Sequence, residues 1–390
     1  MVRSPGIPRL ARALDEVAGQ DRIDADSSHS AGWLRRLIHP FVPAGFHDPV
    51  GLARRLLSNP DPGARFALRA AATAPFLTPF DFLLAPFERR LYRQAGEPQL
   101  PILLVCGPAR SGTSLAAQLL IRNLPVAYLD NLTSVFPRSP LVARRLFGRW
   151  LRAAPIQYRS YYGRTDGWTA PNDALNLWDR WLGRDRSRAP AKLDLVVKTQ
   201  MAAFFGALER ETGRPLVAKN NALNVSAHLV AEVLPTARFI CLQRSRESLA
   251  LSLYRARLEI HGAATVPYGL TTRGARRPDN AVEDVCRQVL YHERVAREQH
   301  ARLPAGRFML VRYEDICRDP RSFVENAGRI FLDTAPDFAA TDPGLESFEA
   351  GRRAGEGELL AKFRETFTRL GAEGESPVPG SYPSGEPERA

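Results

Sequence analysis

The residues best suited to chemistry lie in a short glycine-bounded loop, Gly107 to Gly112. The apolar run before it, 102–106, has the length and branching of a buried parallel strand, and a helical pattern follows from position 113. A strand, a loop and a helix in this order turn backbone N–H groups toward an anion. The spacing of the two glycines and Ser114 nearly matches the nucleotide-binding P-loop, but Thr113 stands where that pattern has lysine.

The missing lysine bears on which ligand the loop can bind. In ATPases and GTPases that cation reaches the outer phosphates of the nucleotide, so its absence argues against both classes. Arg110 places a positive charge earlier, inside the loop itself. The sequence therefore predicts an anion-binding loop whose charge comes from an arginine.

A second anion-binding pattern surrounds Arg244. A predicted strand ends at this arginine, a helix begins with Ser245 as its N-cap, and Ser252 follows two turns along that helix. A guanidinium at a strand end and a hydroxyl on the next helix can grip one phosphate from two sides. An isolated arginine at a strand end is more often an ordinary surface cation, so this pair is informative together with the first loop.

Short β-like runs alternate with longer helical segments from residue 101 onward. The predicted strands are 102–106, 193–198, 215–218, 238–243 and 307–311. The predicted helices are 113–122, 171–183, 223–234, 246–260, 279–300 and 320–332. This alternation favours an α/β fold with a parallel sheet covered on both faces. Because ligands in such folds bind beyond the carboxyl ends of the strands, we expect Arg110, Lys219 and Arg244 to converge on one edge.

Together these stretches resemble the sulfotransferase family, which moves a sulfuryl group from 3′-phosphoadenosine 5′-phosphosulfate (PAPS) to a hydroxyl or amine. The loop 108–114 is similar to the family's 5′-phosphosulfate loop, and Arg244 with Ser252 to its 3′-phosphate motif. The segment 308–315 resembles a third recurring segment near the nucleotide. The resemblance covers roughly residues 100–335. It implies a three-layer α/β/α domain with a central, mostly parallel sheet of P-loop nucleotide-binding type.

The resemblance also implies which residues bind PAPS. Arg110 would steady the bridging oxygen as the leaving phosphate gains charge. Backbone N–H groups and two hydroxyls at the helix start would hold the 5′-phosphate. The expected donor-binding residues are Arg110, Ser111, Gly112, Thr113, Ser114, Arg244, Ser252 and Tyr313. No metal is expected, because a sulfuryl group carries less charge than a phosphoryl group and needs no Mg²⁺ beside the arginine and N–H donors.

The catalytic residues that the resemblance implies are less complete. Lys219 matches a lysine that follows a strand in the family, and Lys198 competes for the same role. In cytosolic family members a histidine two residues later acts as the base. Here Asn221 occupies that position, and an amide cannot take a proton from an alcohol at useful pH. The base is therefore expected elsewhere.

A base can be sought in the segment 161–173, which resembles a P-x-E/D segment at the acceptor pocket of many bacterial sulfotransferases. Asp173 would then take the acceptor's proton, with Asp166 as a weaker candidate. Pro171 followed by Asn172 and Asp173 is equally a routine helix start, so both interpretations stay open. His228 and His292 lie in helical patterns and are expected to pack within the core.

Three parts of the chain are expected from its composition. Residues 1–95 form a partly flexible helical extension, 96–370 the α/β domain and 371–390 a disordered tail rich in Gly, Pro, Ser and Glu. The run from Phe76 to Phe87 holds four phenylalanines and three leucines. It favours a helical hairpin packed on the main domain and leaves open peripheral membrane contact through 70–90.

The charge balance limits the partners. Of 390 residues, 54 are Lys or Arg and 42 are Asp or Glu, a net charge of +12. This fits an arginine-rich surface, a polyanionic ligand or an anionic membrane. No basic run alternates with aromatic residues, so nucleic acid is not an expected partner. Four scattered cysteines and seven scattered histidines predict no metal site and reduced thiols in a cytoplasmic protein.

Several questions stay open at the level of sequence. The acceptor is of unknown class, and the aromatic residues near 76–87 and 158–181 lean toward an apolar or lipid-like molecule. The loop 262–280, with Arg273, Arg276 and Arg277, is either a lid or a solvated basic loop. Arg352 and Arg353 are weak candidates for further 3′-phosphate contacts. A non-catalytic binding protein on the same fold and a P-loop kinase are the competing functions.

Overall fold

Five parallel strands form a single sheet in the computed structural model, which describes residues 49–151, 156–184, 186, 189–270, 280–349 and 357–372. They are β1 Ile102–Cys106, β2 Ala127–Tyr128, β3 Leu216–Lys219, β4 Ala237–Gln243 and β5 Phe308–Arg312. Their order in the sheet is β2-β3-β1-β4-β5. Ile102 at the start of the central strand lies opposite both Leu216 and Ala237. The predicted α/β class with a parallel sheet is confirmed.

Helices cover both faces of this sheet. They are α1 Pro49–Ser58, α2 Pro62–Gln94, α3 Thr113–Asn123, α4 Asn131–Val135, α5 Pro140–Phe147, α6 Leu175–Leu182, α7 Leu195–Thr212, α8 Leu223–Val233, α9 Arg246–Ala256, α10 Ala281–Arg302, α11 Tyr313–Arg318, α12 Pro320–Ala327, α13 Phe338–Thr341 and α14 Gly357–Ala372. Single π-helical turns, Arg257–His261 and Gly328–Leu332, continue α9 and α12.

The side chains of β1 contribute to the hydrophobic cores on both faces of the sheet, between the sheet and its two layers of helices. Its residues alternate between two hydrophobic cores, because successive side chains of a strand point to opposite faces. Leu104 and Cys106 pack in the core that includes Phe204 of α7. Leu103 and Val105 pack in the core that α3 and α12 close from the other side. All five residues of β1 are buried, which is the pattern expected of a central parallel strand.

The predicted strand 193–198 is wrong. These residues begin the helix α7, which starts at Leu195 after Asp194. The Asp194 side chain accepts a hydrogen bond from the Val197 backbone N–H at 2.8 Å and so caps the helix. The two valines after Leu195 favoured a strand by propensity, but the cap outweighs it. The two-residue strand β2 was not predicted, since a segment this short shows no period.

The helix α2 also differs from the expected hairpin. It is one continuous helix of 33 residues with Pro75, Pro79 and Pro86 inside it. Each proline removes an N–H donor and leaves a carbonyl unbonded. The three prolines lie at half-buried or exposed positions, where water can reach those carbonyls. The helix packs on the main domain through its other flank, so packing of the phenylalanines themselves was predicted wrongly.

Candidate active site

The predicted cations lie at one edge of the sheet. The glycine-bounded loop follows β1, Lys219 is the last residue of β3, and Arg244 comes directly after β4. Tyr313 comes directly after β5 and begins α11. Because all the strands are parallel, their carboxyl ends meet at the same edge. The structure therefore brings together residues from four neighbouring strands.

The loop after β1 has a backbone that only glycine adopts easily. Gly107 has a φ of 138° and Gly112 a φ of 99°. A Cβ atom at Gly112 would lie 2.1 Å from the Tyr313 ring, so this ring packs directly on the loop. The buried Ser111 hydroxyl donates to the Pro108 carbonyl at 2.8 Å. Its backbone N–H donates to the same carbonyl at 3.2 Å, so both groups shape the loop and the expected contact of Ser111 with a ligand stays a prediction.

Arg110 joins the first motif to the second. Its Nε donates to the Ser252 hydroxyl at 3.1 Å, across 142 positions of sequence. Its backbone φ of 74° is in the left-handed region, which is uncommon for a residue with a side chain. The guanidinium lies over the Tyr162 ring, 4.5 Å from the ring centroid. The two predicted anion-binding motifs thus form a single site.

Arg244 lies beside the same loop. Its Nη1 donates to the backbone carbonyl of Arg110 at 3.0 Å, and its guanidinium stacks 4.7 Å over the Tyr313 ring. Burial lowers the pKa of Arg244, and the positive charge of Arg110 lowers it further. Its Nε is buried and has no hydrogen-bond partner among the residues that the structure describes. A buried N–H donor without a partner, beside a second guanidinium group, is suited to binding an anionic ligand.

Lys219 connects the loop to the predicted base. Its ammonium is nearly buried and donates to the Ser114 hydroxyl at 3.1 Å. The same nitrogen lies 2.5 Å from Asp173 Oδ1 and forms an ion pair with it. Gly163 borders this group, since a Cβ there would lie 3.6 Å from the lysine nitrogen. The structure therefore brings two of the three predicted catalytic residues, Lys219 and Asp173, together at the start of α3.

Asp173 does not begin a helix. The helix α6 starts two residues later, after Ala174, whose backbone φ is 47°. Asn172 holds this turn because its side chain accepts from the Ala174 N–H at 2.7 Å and donates to Asn131 at 2.5 Å. The local hydrogen bonds of a helix start are thus made by the neighbouring asparagine. This leaves the aspartate carboxylate free to face Lys219.

The remaining candidates lie elsewhere. Lys198 is on α7 and pairs with Glu232 at 3.1 Å, which leaves Lys219 as the lysine of the site. Asp166 is half exposed and lies 3.6 Å from Arg69. Asn221 accepts a hydrogen bond from the Thr113 hydroxyl at 3.2 Å and so supports the loop.

The histidines are structural, as expected. His228 binds Gln299 through its backbone N–H and its ring, both at 3.0 Å. His292 is fully buried against Asn224 and the Leu270 carbonyl. The arginines predicted at 273, 276, 277, 352 and 353 lie outside the described residues. Among the residues that are described, no group of three or more His, Cys, Asp or Glu side chains could hold a metal ion.

Two cavities adjoin the site, one at Arg244 and one at Lys219. A cleft of about 390 Å³ opens beside Arg244 and is bounded by Pro108, Ser245 and Arg312. In its wall, Arg246 and Glu293 form an ion pair at 2.7 Å. A second cavity, of only about 20 Å³, lies on the other side of the loop, beside Ser114, Gly163, Asp173 and Lys219. The larger space is suited to a ligand of nucleotide size, and the smaller one lies at the predicted base.

The contact of an aromatic group with Arg110 was not predicted. Tyr162 stacks on Arg110, and Tyr268 packs against it with ring centroids 5.9 Å apart. Burial raises the pKa of Tyr162, and a hydrogen bond to Glu259 raises it further. The residue before Gly163 has a φ of 50°, a strained conformation that its tyrosine side chain does not reveal in the sequence.

Comparison with known proteins identifies the family of the chain. A family model described as "Sulfotransferase family" matches residues 101–330. A search of curated proteins finds no match.

Among solved structures, the chain is similar to sulfotransferase STF1 from Mycobacterium tuberculosis H37Rv, at 13% identity over 94% of this chain and 99% of that one, with a TM-score of 0.44. It is similar to sulfotransferase STF9 from Mycobacterium avium at 14% identity, over 88% and 89% of the two chains, with a TM-score of 0.43. The sulfotransferase domain from the Synechococcus PCC 7002 olefin synthase has 16% identity, over 73% and 98%, with a TM-score of 0.34.

Proposed function

Because the chain belongs to the sulfotransferase family, we propose that it transfers a sulfuryl group from PAPS to a hydroxyl of a small-molecule, lipid or glycan acceptor. One observation carries the proposal. Arg110 contacts Ser252, and Arg244 contacts the backbone of Arg110, so two guanidinium groups lie at one anion-binding loop. A P-loop kinase would instead need a lysine at Thr113.

The residues at the sheet edge fit such a donor. When bound, PAPS supplies an electrophilic sulfur and a phosphate leaving group. The N-terminus of α3 and the Ser114 hydroxyl would hold the 5′-phosphate, and the Thr113 hydroxyl would join them by turning away from Asn221. The buried Nε of Arg244 gives the 3′-phosphate a donor with no other described partner. The cleft beside Arg244 is large enough for the adenosine part.

Positioning and charge are the contributions expected of this chain. Arg110 provides positive charge where the leaving phosphate gains negative charge, and preorganised donors of this kind stabilise a transition state. Lys219 is shared between Ser114 on the donor side and Asp173 on the other side. We assign to the Asp173 carboxylate the proton that the acceptor hydroxyl loses.

The acceptor approaches the site beside Gly163. The segment that holds this glycine contacts α2, since Phe66 packs edge-on against Trp168 with centroids 5.2 Å apart. A Cβ at Gly63 would meet the Arg164 carbonyl at 2.5 Å. The acceptor side is thus bordered by an apolar helix, which supports an apolar or lipid-like acceptor.

Calorimetry with 3′-phosphoadenosine 5′-phosphate, the product of the donor, tests this function. We expect binding to the wild type and to the surface control Arg329→Ala. Arg110→Ala and Arg244→Ala should each weaken binding by roughly 10- to 100-fold, because each removes a charge-assisted hydrogen bond. Incubation of a cell extract with radiolabelled PAPS should then give a labelled product that Arg110→Ala does not form.

Two results would overturn the proposal. The first is a wild-type protein that does not bind the nucleotide, or binds it equally well without Arg110 and Arg244. The second is Mg²⁺-dependent turnover of ATP, which would assign the site to a kinase. Tight nucleotide binding without transfer to any acceptor would instead support the non-catalytic alternative.

A further inference from the structure

We propose that α2 docks the protein on an anionic membrane surface, lying in the plane of the bilayer. The docking surface is a row of exposed residues three or four positions apart, which we call the outer stripe. Residues at this spacing share one face of a helix. The outer stripe consists of Arg65, Arg69, Ala72, Phe76, Phe80, Leu83, Phe87 and Arg90.

The centre of the outer stripe is apolar and exposed. Phe76 is 76% exposed, Leu83 is 68% exposed and Phe87 is 60% exposed. Large side chains such as these are the groups that an interfacial helix buries among lipid headgroups and acyl chains. Trp150, 72% exposed, follows α5, whose Phe147 packs against the same hydrophobic cluster as Leu77 of α2. Tryptophan is enriched at membrane interfaces.

The acidic residues of α2 and the arginines of the outer stripe lie on different faces of the helix. Its only two acidic residues, Asp81 and Glu88, are buried on the opposite flank. Asp81 accepts hydrogen bonds from the backbone N–H groups of Arg138 and Ser139, and Glu88 from those of Leu141 and Val142. The outer stripe therefore presents apolar side chains bounded by arginines, some 38 Å apart at 1.5 Å per residue. That distribution is complementary to anionic lipid headgroups.

The contacts on the buried flank of α2, which carries Asp81 and Glu88, argue against a membrane-spanning helix. By length and composition α2 could span a bilayer. However, its buried acids bind backbone groups of the loop before α5 and of α5 itself, and Tyr92 packs edge-on against Phe204 of the core. A spanning helix would have to break these contacts. An in-plane helix keeps them and buries only the outer stripe.

A second copy of this chain fits the stripe less well than a membrane. Two copies related by a twofold axis would bring identical patches of α2 into contact. With the helices antiparallel, Arg90 of each copy would face Arg65 and Arg69 of the other, and with the helices parallel each arginine would face its own counterpart. Arg69 has Asp166 beside it at 3.6 Å, but Arg65 and Arg90 would meet charges of the same sign. Anionic lipids avoid this repulsion.

Sedimentation of the full-length protein with vesicles tests the proposal. One set of vesicles is phosphatidylcholine, and the other contains equal parts of phosphatidylcholine and phosphatidylglycerol. We expect the wild type to bind the anionic vesicles more tightly. The triple variant Phe76→Gln, Phe80→Gln, Leu83→Gln should lower the partition coefficient by at least about tenfold, because the apolar area buried in the interface is lost.

Two matched variants separate the apolar and charged contributions. Leu195→Gln with Ile330→Gln changes residues of similar exposure elsewhere and should leave binding unchanged. Arg90→Gln should lower binding to anionic vesicles by roughly fivefold and leave binding to neutral vesicles unchanged, since one arginine contributes about 1 kcal/mol at such a surface. Unchanged melting temperatures would show that the substituted chains still fold.

Four outcomes would overturn the proposal. They are no binding of the wild type to either vesicle, an equal loss of binding in the Leu195 and Ile330 control, retention in the membrane after an alkaline carbonate wash, and a wild-type dimer that the triple variant abolishes. The third would indicate a spanning helix and the fourth a self-association surface. Release by carbonate together with selective loss in the triple variant would support in-plane docking. None of these readouts depends on sulfuryl transfer.

Discussion

At the scale of single residues, the informative contact is the one between Lys219 and Asp173. The lysine lies 2.5 Å from the carboxylate and 3.1 Å from Ser114, so it spans the boundary between the donor loop and the acceptor side. An aspartate whose only role is to start a helix would face backbone N–H groups. Asp173 faces a buried ammonium instead, and Asn172 makes the local hydrogen bonds of the turn.

We predict that Asp173→Asn lowers kcat by roughly 10²- to 10⁴-fold, the range of a lost general base. Nucleotide affinity should change little, because the amide keeps the shape of the side chain and the donor loop is untouched. The measurements are turnover to the labelled acceptor product and calorimetry with 3′-phosphoadenosine 5′-phosphate. A fall in kcat at unchanged nucleotide affinity would distinguish a base from a residue that only supports the donor loop.

Asp166→Asn is the matched control for this prediction. Asp166 is half exposed and paired with Arg69 on the surface, and its substitution should leave kcat unchanged. If both variants lost activity equally, or if Asp173→Asn retained full activity, the base would have to be sought in another residue.

At the scale of elements, α7 approaches the chain that leaves α2 so closely that only glycine fits between them. A Cβ at Gly206 would lie 1.9 Å from the Gly96 carbonyl oxygen. Backbone atoms cannot move away as a flexible side chain can, so the two segments would have to separate. This contact helps to hold the helical extension on the α/β domain.

We predict that Gly206→Ala lowers the free energy of unfolding by about 1–3 kcal/mol, the usual cost of overpacking. Urea unfolding followed by circular dichroism measures it. The control is Gly371→Ala, since a Cβ at this helical position in α14 has nothing within 4 Å. The control should be neutral or gain up to about 1 kcal/mol from helix propensity. Equal stabilities of the two variants would contradict the close approach.

The sequence predicts the elements that carry the donor site better than the rest. Four of the five predicted strands are confirmed, because β1, β3, β4 and β5 are apolar runs between clear turns. The strand prediction for 193–198 is wrong because capping by Asp194 favours a helix more than the two valines favour a strand. The contact between Arg110 and Ser252 joins residues 142 positions apart and follows only from the strand order. Positive φ angles at Arg110, Tyr162 and Ala174 leave no signal in residue type.

At the scale of the whole molecule, two buried groups give stability opposite dependences on pH. Burial raises the pKa of Glu88 from 4.5 to about 7, although the Val142 and Leu141 N–H groups lower it and Tyr92 donates to it. Its stabilising effect is present below pH 4.5 and is lost as pH rises through about 7. Burial lowers the pKa of His292 from 6.5 to about 4, against a hydrogen bond to the Leu270 carbonyl.

The histidine acts in the opposite direction. Its stabilising effect is present above pH 6.5 and is lost as pH falls through about 4, because the buried ring must then accept a proton. Each change corresponds to at most about 3.4 kcal/mol, given 1.36 kcal/mol per tenfold change in proton affinity. Between pH 4.5 and 6.5 the unfolded chain binds one proton fewer at Glu88 and one more at His292. The two slopes therefore largely cancel in the wild type.

We predict that single substitutions reveal how each group makes the free energy of unfolding depend on pH. Relative to the wild type, Glu88→Gln should become more stable as pH rises from 4.5 to 7, since the buried carboxylate is no longer ionised. His292→Gln should become relatively less stable from pH 4 to 6.5, because the wild-type histidine regains its effect there. The measurement is urea unfolding across this range, with the exposed Glu325→Gln as a control that stays level with the wild type. If the stability differences of Glu88→Gln and His292→Gln from the wild type did not change with pH, these groups would titrate alike in the folded and unfolded chain.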